Sequence, residues 1–339
     1  MGRAIKIKLA LVLALALCLA AHMSSMAAKA ELQKIKVSEA IHGIFFLPLY
    51  VAHGKGFFKD EGLDVELLTA QAGPLAMQAL LAGQVQFCAT GHGLIANLYA
   101  KGKPTKIVNQ MQSRCTFYLL GRPEIKSIAD LKGKSVGCTK IGAESYAIAR
   151  AILAREGLDP DKDVTLVGVG GMGTTASALD NNRCQAVIGW QPLTNKFLKE
   201  GKAVVLATLN TKEGSQKHFG SPDYSFTIIE VTDEYLKSHP DTVQRFVNAL
   251  VRAEKWLASH STDEMVSTAQ PYFKGMDPAI LKESIEEDLP AFSATGLVPN
   301  QGHEAVMKVW IDAGLLKAPV AFEAIVDNSF SQKAQNQKP

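Results

Sequence analysis

Residues 42–68, HGIFFLPLYVAHGKGFFKDEGLDVELL, decide the fold of this 339-residue chain. Pro48 suits the first turn of a helix, because no amide donor is needed there, and Gly54 and Gly56 end that helix. Residues 63–68 then alternate apolar and charged side chains, as a half-buried strand does. A short strand is also predicted before this stretch, so the local unit is strand, helix, strand.

The same stretch resembles the start of the periplasmic solute-binding proteins of nitrate, sulfonate and taurine importers, a group with thiamine-pyrimidine-binding-like members. The resemblance rests on an aromatic-proline helix at residues 46–50, Gly-Phe-Phe at 56–58 and Gly-Leu-Asp-Val-Glu-Leu at 62–67, and it continues more loosely to about residue 260. It implies an α/β, bilobal periplasmic-binding-protein fold (type II), with two Rossmann-like lobes joined by two crossing strands.

A function and its partners follow from this resemblance. Such a protein captures a small molecule in the cleft between its lobes and delivers it to the permease of an ABC transporter at the inner membrane. We expect a monomer that performs no catalysis. Along the chain, we expect a first lobe of residues 31–113 plus 232–328, a second lobe of residues 114–231, and a frayed polar tail at residues 329–339.

Residues 1–30 have the order of a secretory signal peptide: a basic start, an uncharged apolar run and small residues near Ala28 and Ala30. The apolar run is too short for a comfortable membrane span. We therefore expect export to the periplasm. A lipoprotein anchor at Cys18 is the alternative, which the bulky Leu17 before it disfavours.

Charge and cysteine content narrow the function classes. Removal of residues 1–30 takes four basic residues and no acidic one, so the formal charge falls from +3 to −1. No basic face remains, which argues against nucleic acid as a partner. No Cys/His spacing of a zinc site occurs, so we expect neither metal nor cofactor. Buried thiols and a disulfide both remain open for Cys88, Cys115, Cys138 and Cys184.

Three strand-to-helix turns containing glycine follow one another at residues 42–43, 72–73 and 91–93. Strands that alternate with helices predict a parallel sheet covered on both faces. In such sheets the binding crevice lies beyond the carboxyl ends of the strands. We therefore expect the three turns to meet at the ligand.

The second lobe offers a comparable exit at residues 139–145, before a helix. Free amides of the first helical turn, with the hydroxyls of Thr139 and Ser145, suit a carboxylate, sulfonate or phosphate. The alternative is that Ser145 only caps its own helix.

Residues 168–173, GVGGMG, fit the GxGxxG pattern between a predicted strand and a predicted helix. No acidic residue follows about twenty positions later to hold a ribose hydroxyl, so a glycine turn beside a small ligand is the better interpretation.

Arg114 is a candidate partner for a ligand anion, or else forms a surface ion pair. Trp190 is a candidate at the cleft mouth, or else a core aromatic.

The candidate substrate-binding residues come from both lobes and carry no catalytic or metal-binding role. They are His42, Gly43, Phe45, Phe46, Ala72, Gly73, Gly91, His92, Arg114, Thr139, Gly142, Ala143, Glu144, Ser145, Gly170, Gly171 and Trp190. Helix starts, Arg114 and the histidines favour a small organic anion such as a sulfonate or carboxylate, while the aromatic residues leave a planar ring open.

Two other functions remain open on the same fold. One is an enzyme or binding protein of the thiamine-pyrimidine precursor type, although no nucleophile with a paired base stands out. The other is a lobe that feeds a receptor instead of a permease.

Overall fold

The computed structural model describes residues 31–337. The predicted signal peptide and the alternative anchor at Cys18 lie outside the described residues. Within the described range, none of the helices combines the length and the apolar content needed to cross a bilayer.

The first sheet has the strand order β2-β1-β3-β10-β4. β1 and β3 are parallel, whereas β10 runs antiparallel to both of its neighbours. Its strands are β1 (Gln33–Glu39), β2 (Leu63–Thr69), β3 (Phe87–Gly91), β4 (Thr105–Gln110) and β10 (Thr227–Thr232). The elements between the first four strands are a 3-10 turn (Ile44–Phe46), α1 (Leu47–Gly54), α2 (Phe57–Asp60), α3 (Gly73–Leu81) and α4 (His92–Ala100).

The second sheet has the strand order β7-β6-β8-β5-β9. β6 is parallel to β7 and β8, and β5 is antiparallel to β8 and β9. Its strands are β5 (Tyr118–Gly121), β6 (Ser135–Cys138), β7 (Thr165–Gly168), β8 (Ala186–Gly189) and β9 (Val204–Thr208). Its helical elements are a 3-10 turn (Ile128–Leu131), α5 (Glu144–Arg155), α6 (Met172–Asp180), α7 (Leu193–Lys199) and α8 (Lys212–Phe219).

The rest of the chain is helical and packs mainly on the first sheet. Its elements are α9 (Asp233–Ser238), α10 (Pro240–Ser259), α11 (Thr262–Ala269), α12 (Pro278–Asp288), a 3-10 turn (Leu289–Ala291), α13 (Asn300–Asp312), α14 (Phe322–Ile325) and α15 (Ser329–Gln335). Phe246 of α10 stacks on Phe87 of β3 at a centroid distance of 3.9 Å and on Phe58 at 4.8 Å. This contact packs the Gly-Phe-Phe segment, residues 56–58, against the hydrophobic core beside the first sheet.

Both sheets are mixed, which corrects the prediction of a purely parallel arrangement. The reason lies in the two crossings between the sheets: β5 is the first strand after one crossing and β10 the first after the other, and each enters its sheet in the opposite direction. The crossing segments, residues 111–117 and 222–226, lie side by side, since Tyr224 N donates to Ser113 O at 3.1 Å. Because β10 pairs within the first sheet, we propose that the first lobe resumes at residue 227 instead of residue 232.

One further expectation is wrong. Residues 329–335 form helix α15, with Phe330 and Ala334 buried, instead of a frayed tail. The polar stretch after β9 contains helix α8, which the Thr211 side chain caps by accepting from Gly214 N at 3.0 Å. The cysteines of the described range, Cys88, Cys115, Cys138 and Cys184, are free and buried.

Candidate functional site

A narrow cavity lies between the two sheets, beyond the carboxyl ends of β1, β3 and β6. Its volume is about 30 Å³, which leaves room for one or two water molecules. Side chains from the first lobe, the second lobe and both crossing segments line it. They are Ala40, Ile41, Phe45, Phe46, Gly73, Thr90, Gly91, Leu94, Phe117, Thr139, Ala143, Glu144, Ser145, Phe226 and Thr227.

Four phenylalanines form the apolar wall of the cavity. Phe45 meets Phe46 edge to face at 4.7 Å, and Phe117 meets Phe226 edge to face at 4.8 Å. Edge-to-face packing of this kind is a favoured aromatic geometry. Because each crossing segment contributes one ring of the second pair, the wall spans the junction between the lobes.

The hydroxyl groups in the cavity come from both lobes. Thr90 is the last residue but one of β3 and is fully buried, and its Oγ1 has no hydrogen-bond partner within residues 31–337. Opposite, Thr139 Oγ1 and Ser145 Oγ lie 2.8 Å apart, and Thr139 N donates to Ser145 Oγ at 3.0 Å. Ser145 therefore contacts the residue that follows β6, and within the described part of the chain no side chain caps α5. The first-lobe and second-lobe hydroxyls can both reach a solute held between them.

Glu144 is the charged residue of the lining and joins the lobes. Its carboxylate accepts from Tyr224 Oη at 2.5 Å, from Trp310 Nε1 at 3.2 Å and from Gly93 N at 3.2 Å. Burial raises the pKa of this carboxyl to about 7, although hydrogen bonds from Tyr224 and Trp310 oppose the rise. A side chain of the second lobe is thus held by groups of the first lobe and of a crossing segment.

The cationic and histidine candidates lie outside the lining. Arg114 Nη1 donates to Asn210 O at 3.0 Å. His42 Nδ1 lies 2.8 Å from Glu39 Oε1. His92 is buried with its ring nitrogens 2.8 Å from Ser225 Oγ and 3.0 Å from His303 Nδ1, and burial lowers its pKa well below the usual value. The positive charge expected from these residues is not directed at the cavity.

The remaining candidates shape the contact between the lobes. Trp190 is fully buried, and its Nε1 donates to His42 O at 2.9 Å, so it is a core aromatic that bridges the lobes. A Cβ added at Gly43 would lie 2.8 Å from Trp190 Cδ1. At Gly171 it would lie 2.5 Å from Gln71 Oε1.

Three further candidates, Ala72, Gly142 and Gly170, are chain neighbours of Gly73, Ala143 and Gly171. Gly142 and Gly170 have φ values of 81° and 83°, which glycine adopts without strain. Ala72 is buried beside Gly73.

The structure thus brings together at the cavity about half of the candidates: Phe45, Phe46, Gly73, Gly91, Thr139, Ala143, Glu144 and Ser145. Sequence reasoning missed Ala40, Ile41, Thr90, Leu94, Phe117, Phe226 and Thr227. A usable signal existed for Thr90, since it precedes a glycine turn at the end of a strand. None existed for the two crossing-segment phenylalanines, because their pairing depends on which segments lie side by side.

A larger groove of about 470 Å³ runs along the outside of α13, next to residues 319–322. It is more open to solvent and lies away from the strand ends of both sheets. Its charged residues are Glu304, Lys308 and Asp312, which are exposed. The enclosed cavity between the sheets is therefore the candidate site.

A family model and a related protein sequence both match most of the chain. The family model described as NMT1/THI5 like matches residues 44–263. The putative binding protein YtlA of Bacillus subtilis is 26% identical over 313 residues, which are 91% of each chain.

Solved structures match over a similar share of the chain. A structure from Bordetella bronchiseptica RB50 has a TM-score of 0.82 and 25% identity, and the match covers 90% of this chain and 98% of that one. The alkanesulfonate-binding protein SsuA from Xanthomonas axonopodis pv. citri, solved with MOPS, has a TM-score of 0.71 and 19% identity over 88% and 100% of the two chains. These matches confirm the bilobal periplasmic-binding fold.

Proposed function

This chain belongs to the NMT1/THI5-like family, and on that premise we propose that it is the extracytoplasmic solute-binding protein of an ABC importer. It captures a small organic molecule between its lobes and presents the closed form to the permease. The predicted signal peptide supports export to the periplasm, and a monomer suffices because one chain supplies both lobes of the cleft.

The observation that carries this proposal is the enclosed cavity at the strand ends of both sheets. Direct hydrogen bonds join the lobes around it: Ile44 N donates to Gln191 O at 3.2 Å, and Arg150 Nε donates to Ala313 O at 2.8 Å. Ligand pockets that hold a drug-sized molecule have volumes of roughly 300–1,000 Å³, far more than the present cavity. A solute therefore enters when the lobes separate, and its contacts favour the closed state.

The lining favours binding over catalysis. Among the residues that the structure describes, its hydroxyl groups are not hydrogen-bonded to a base: Ser145 contacts Thr139, and Thr227 Oγ1 donates to Phe45 O at 3.2 Å. The buried Glu144 carboxylate accepts hydrogen bonds from the phenol of Tyr224 and the indole of Trp310. Neither donor is a serine, threonine or cysteine that the carboxylate could activate as a nucleophile. A group that serves as a general base needs such a nucleophile or a substrate proton within hydrogen-bond reach.

Recovery of an unaltered solute tests the proposal. The full chain, expressed with its signal sequence and purified from the periplasmic fraction, is examined by native mass spectrometry and then denatured to release what it holds. We expect a single small molecule at one per chain, unchanged in mass after prolonged incubation with fresh protein. A product of different mass would establish an enzyme, and an absence of any retained or rebound solute would reject the binding function.

A further inference from the structure

The chemistry of the cavity wall indicates what kind of solute fits. Of the charged side chains in the described range, only Glu144 lines the cavity, and it is an acid. Lys140 follows Thr139 in the chain but is exposed. Arg114 Nη1 donates to Asn210 O, and Arg114 does not line the cavity. An organic anion in this cavity would be buried without a cation and beside a carboxyl group, which is unfavourable.

The start of helix α5 does not supply the missing positive charge. Glu144 is in the first turn of that helix, so the chain places its own acid where a helix favours a negative charge. The same carboxylate already accepts three hydrogen bonds. An anion at this position would repel the ionised form of Glu144 and compete for its donors.

An unsatisfied polar group shows where a solute can form a hydrogen bond. Thr90 is fully buried in the lining, and its Oγ1 lacks a partner in the described part of the chain. Buried polar atoms are normally hydrogen-bonded, so such an atom needs an explanation. A hydroxyl both donates and accepts. It therefore suits an amide-like edge, which presents a donor and an acceptor without a charge.

We propose that the solute is a neutral, flat ring compound with an amide-like polar edge, and that organic anions are excluded. The inference rests on the binding function proposed above. The ring lies among Phe45, Phe46, Phe117 and Phe226, where aromatic faces and edges contribute beyond the buried area. The polar edge contacts the Thr90 hydroxyl from the first lobe and the Thr139 and Ser145 hydroxyls from the second.

Charge-matched pairs of small compounds test the inference. Purified full chain, freed of retained solute, is titrated by calorimetry with benzenesulfonamide against benzenesulfonate and with benzamide against benzoate. Each pair keeps its size and ring and differs in charge. We expect the neutral member to bind at least tenfold more tightly in both pairs. Equal or tighter binding of the anions, or no binding of either neutral compound at 10 mM, would overturn the inference. The retained-solute experiment judges the binding function separately.

Substitution of Thr90 tests the polar edge. Thr90→Val keeps the shape and removes the hydroxyl, so we expect benzamide to bind at least fivefold more weakly, and Thr90→Ser to restore binding. Thr194→Val is the matched control, because Thr194 is equally buried and its Oγ1 also has no partner among residues 31–337, but it lies in α7 outside the lining. Unfolding curves establish that each variant folds. Equal benzamide affinity for Thr90→Val and wild type would contradict the role of this hydroxyl.

Discussion

At the scale of single residues, a buried acid gives the chain a pH-dependent stability. Glu230 lies inside β10 and is fully buried, and burial raises the pKa of its carboxyl to about 8. In the unfolded chain a glutamate titrates near its usual value of about 4.3. The folded state therefore keeps a proton that the unfolded state releases. This stability is fully present below the unfolded pKa and is lost as the pH rises toward 8.

Glu230→Gln should remove this dependence. We expect the unfolding free energy of wild type to fall between pH 5 and 8 more steeply than that of the variant, by up to about 1.4 kcal/mol per pH unit. Urea unfolding at several pH values measures the difference. Glu66→Gln, at an exposed position of β2, is the control and should run parallel to wild type. A Glu230→Gln curve that also runs parallel to wild type would show that Glu230 does not hold the proton.

Site residues were predictable where their position in the chain, at a strand-to-helix turn, is enough to place them at the cleft. Gly73 and Gly91 follow strands, and that rule alone directs them to the cleft. Phe117 and Phe226 could not be predicted, because the crossing segments become neighbours only through long-range pairing. Arg114 shows the opposite failure: its residue type indicates a possible anion partner, but its Nη1 donates to Asn210 O and the side chain does not line the cavity.

At the scale of elements, the C-terminal helix α15 is part of the first lobe. Phe330 and Ala334 are four residues apart, so they share one face of the helix and are buried together. Ser331 Oγ donates to Val108 O at 3.1 Å, and Gln244 Nε2 donates to Phe330 O at 2.9 Å. The mostly polar composition of residues 329–339 led to the prediction of a tail. The buried face that Phe330 and Ala334 form is too small to change that average composition.

Phe330→Ala should therefore destabilise the fold. Truncation of a buried phenylalanine to alanine costs about 3–5 kcal/mol, and we expect a loss near the lower end because the site is close to the surface. Gln332→Ala, on the exposed face of the same helix, should change the unfolding free energy by less than about 0.5 kcal/mol. Urea unfolding at pH 6 gives both values. A Phe330→Ala loss as small as that of the control would mean that α15 contributes little to the folded core.

At the scale of the whole molecule, the alternation of strands and helices was sufficient to predict α/β sheets with a cleft at their strand ends, and the family resemblance implied the two lobes. The antiparallel strands β5 and β10 were not predictable, since their direction is set by the crossings and not by local sequence. The closeness of the lobes was also not predictable. It depends on contacts between residues far apart in the chain, such as Trp190 with His42 and Glu144 with Gly93.

Closure itself can be blocked by one methyl group at Gly91. Its backbone is ordinary extended structure, with φ −85° and ψ 142°, so alanine fits the strand end without backbone strain. A Cβ at this position would lie 2.6 Å from Glu144 Oε2 in the other lobe. Gly91→Ala should therefore leave the fold intact and hold the lobes apart.

We expect Gly91→Ala to weaken binding of the retained solute at least tenfold, which corresponds to about 1.4 kcal/mol. Small-angle scattering with saturating solute should show a larger radius of gyration than for wild type. Gly91→Ala combined with Glu144→Gly should recover compactness, because glycine lacks the Cβ, Cγ and Oε2 atoms that would lie within 3 Å of the added methyl group, and this coupling identifies the contact. Gly173→Ala is the control, since a Cβ there has open space around it. A Gly91→Ala protein that closes and binds as wild type does would show that the lobes do not approach each other through Gly91 and Glu144.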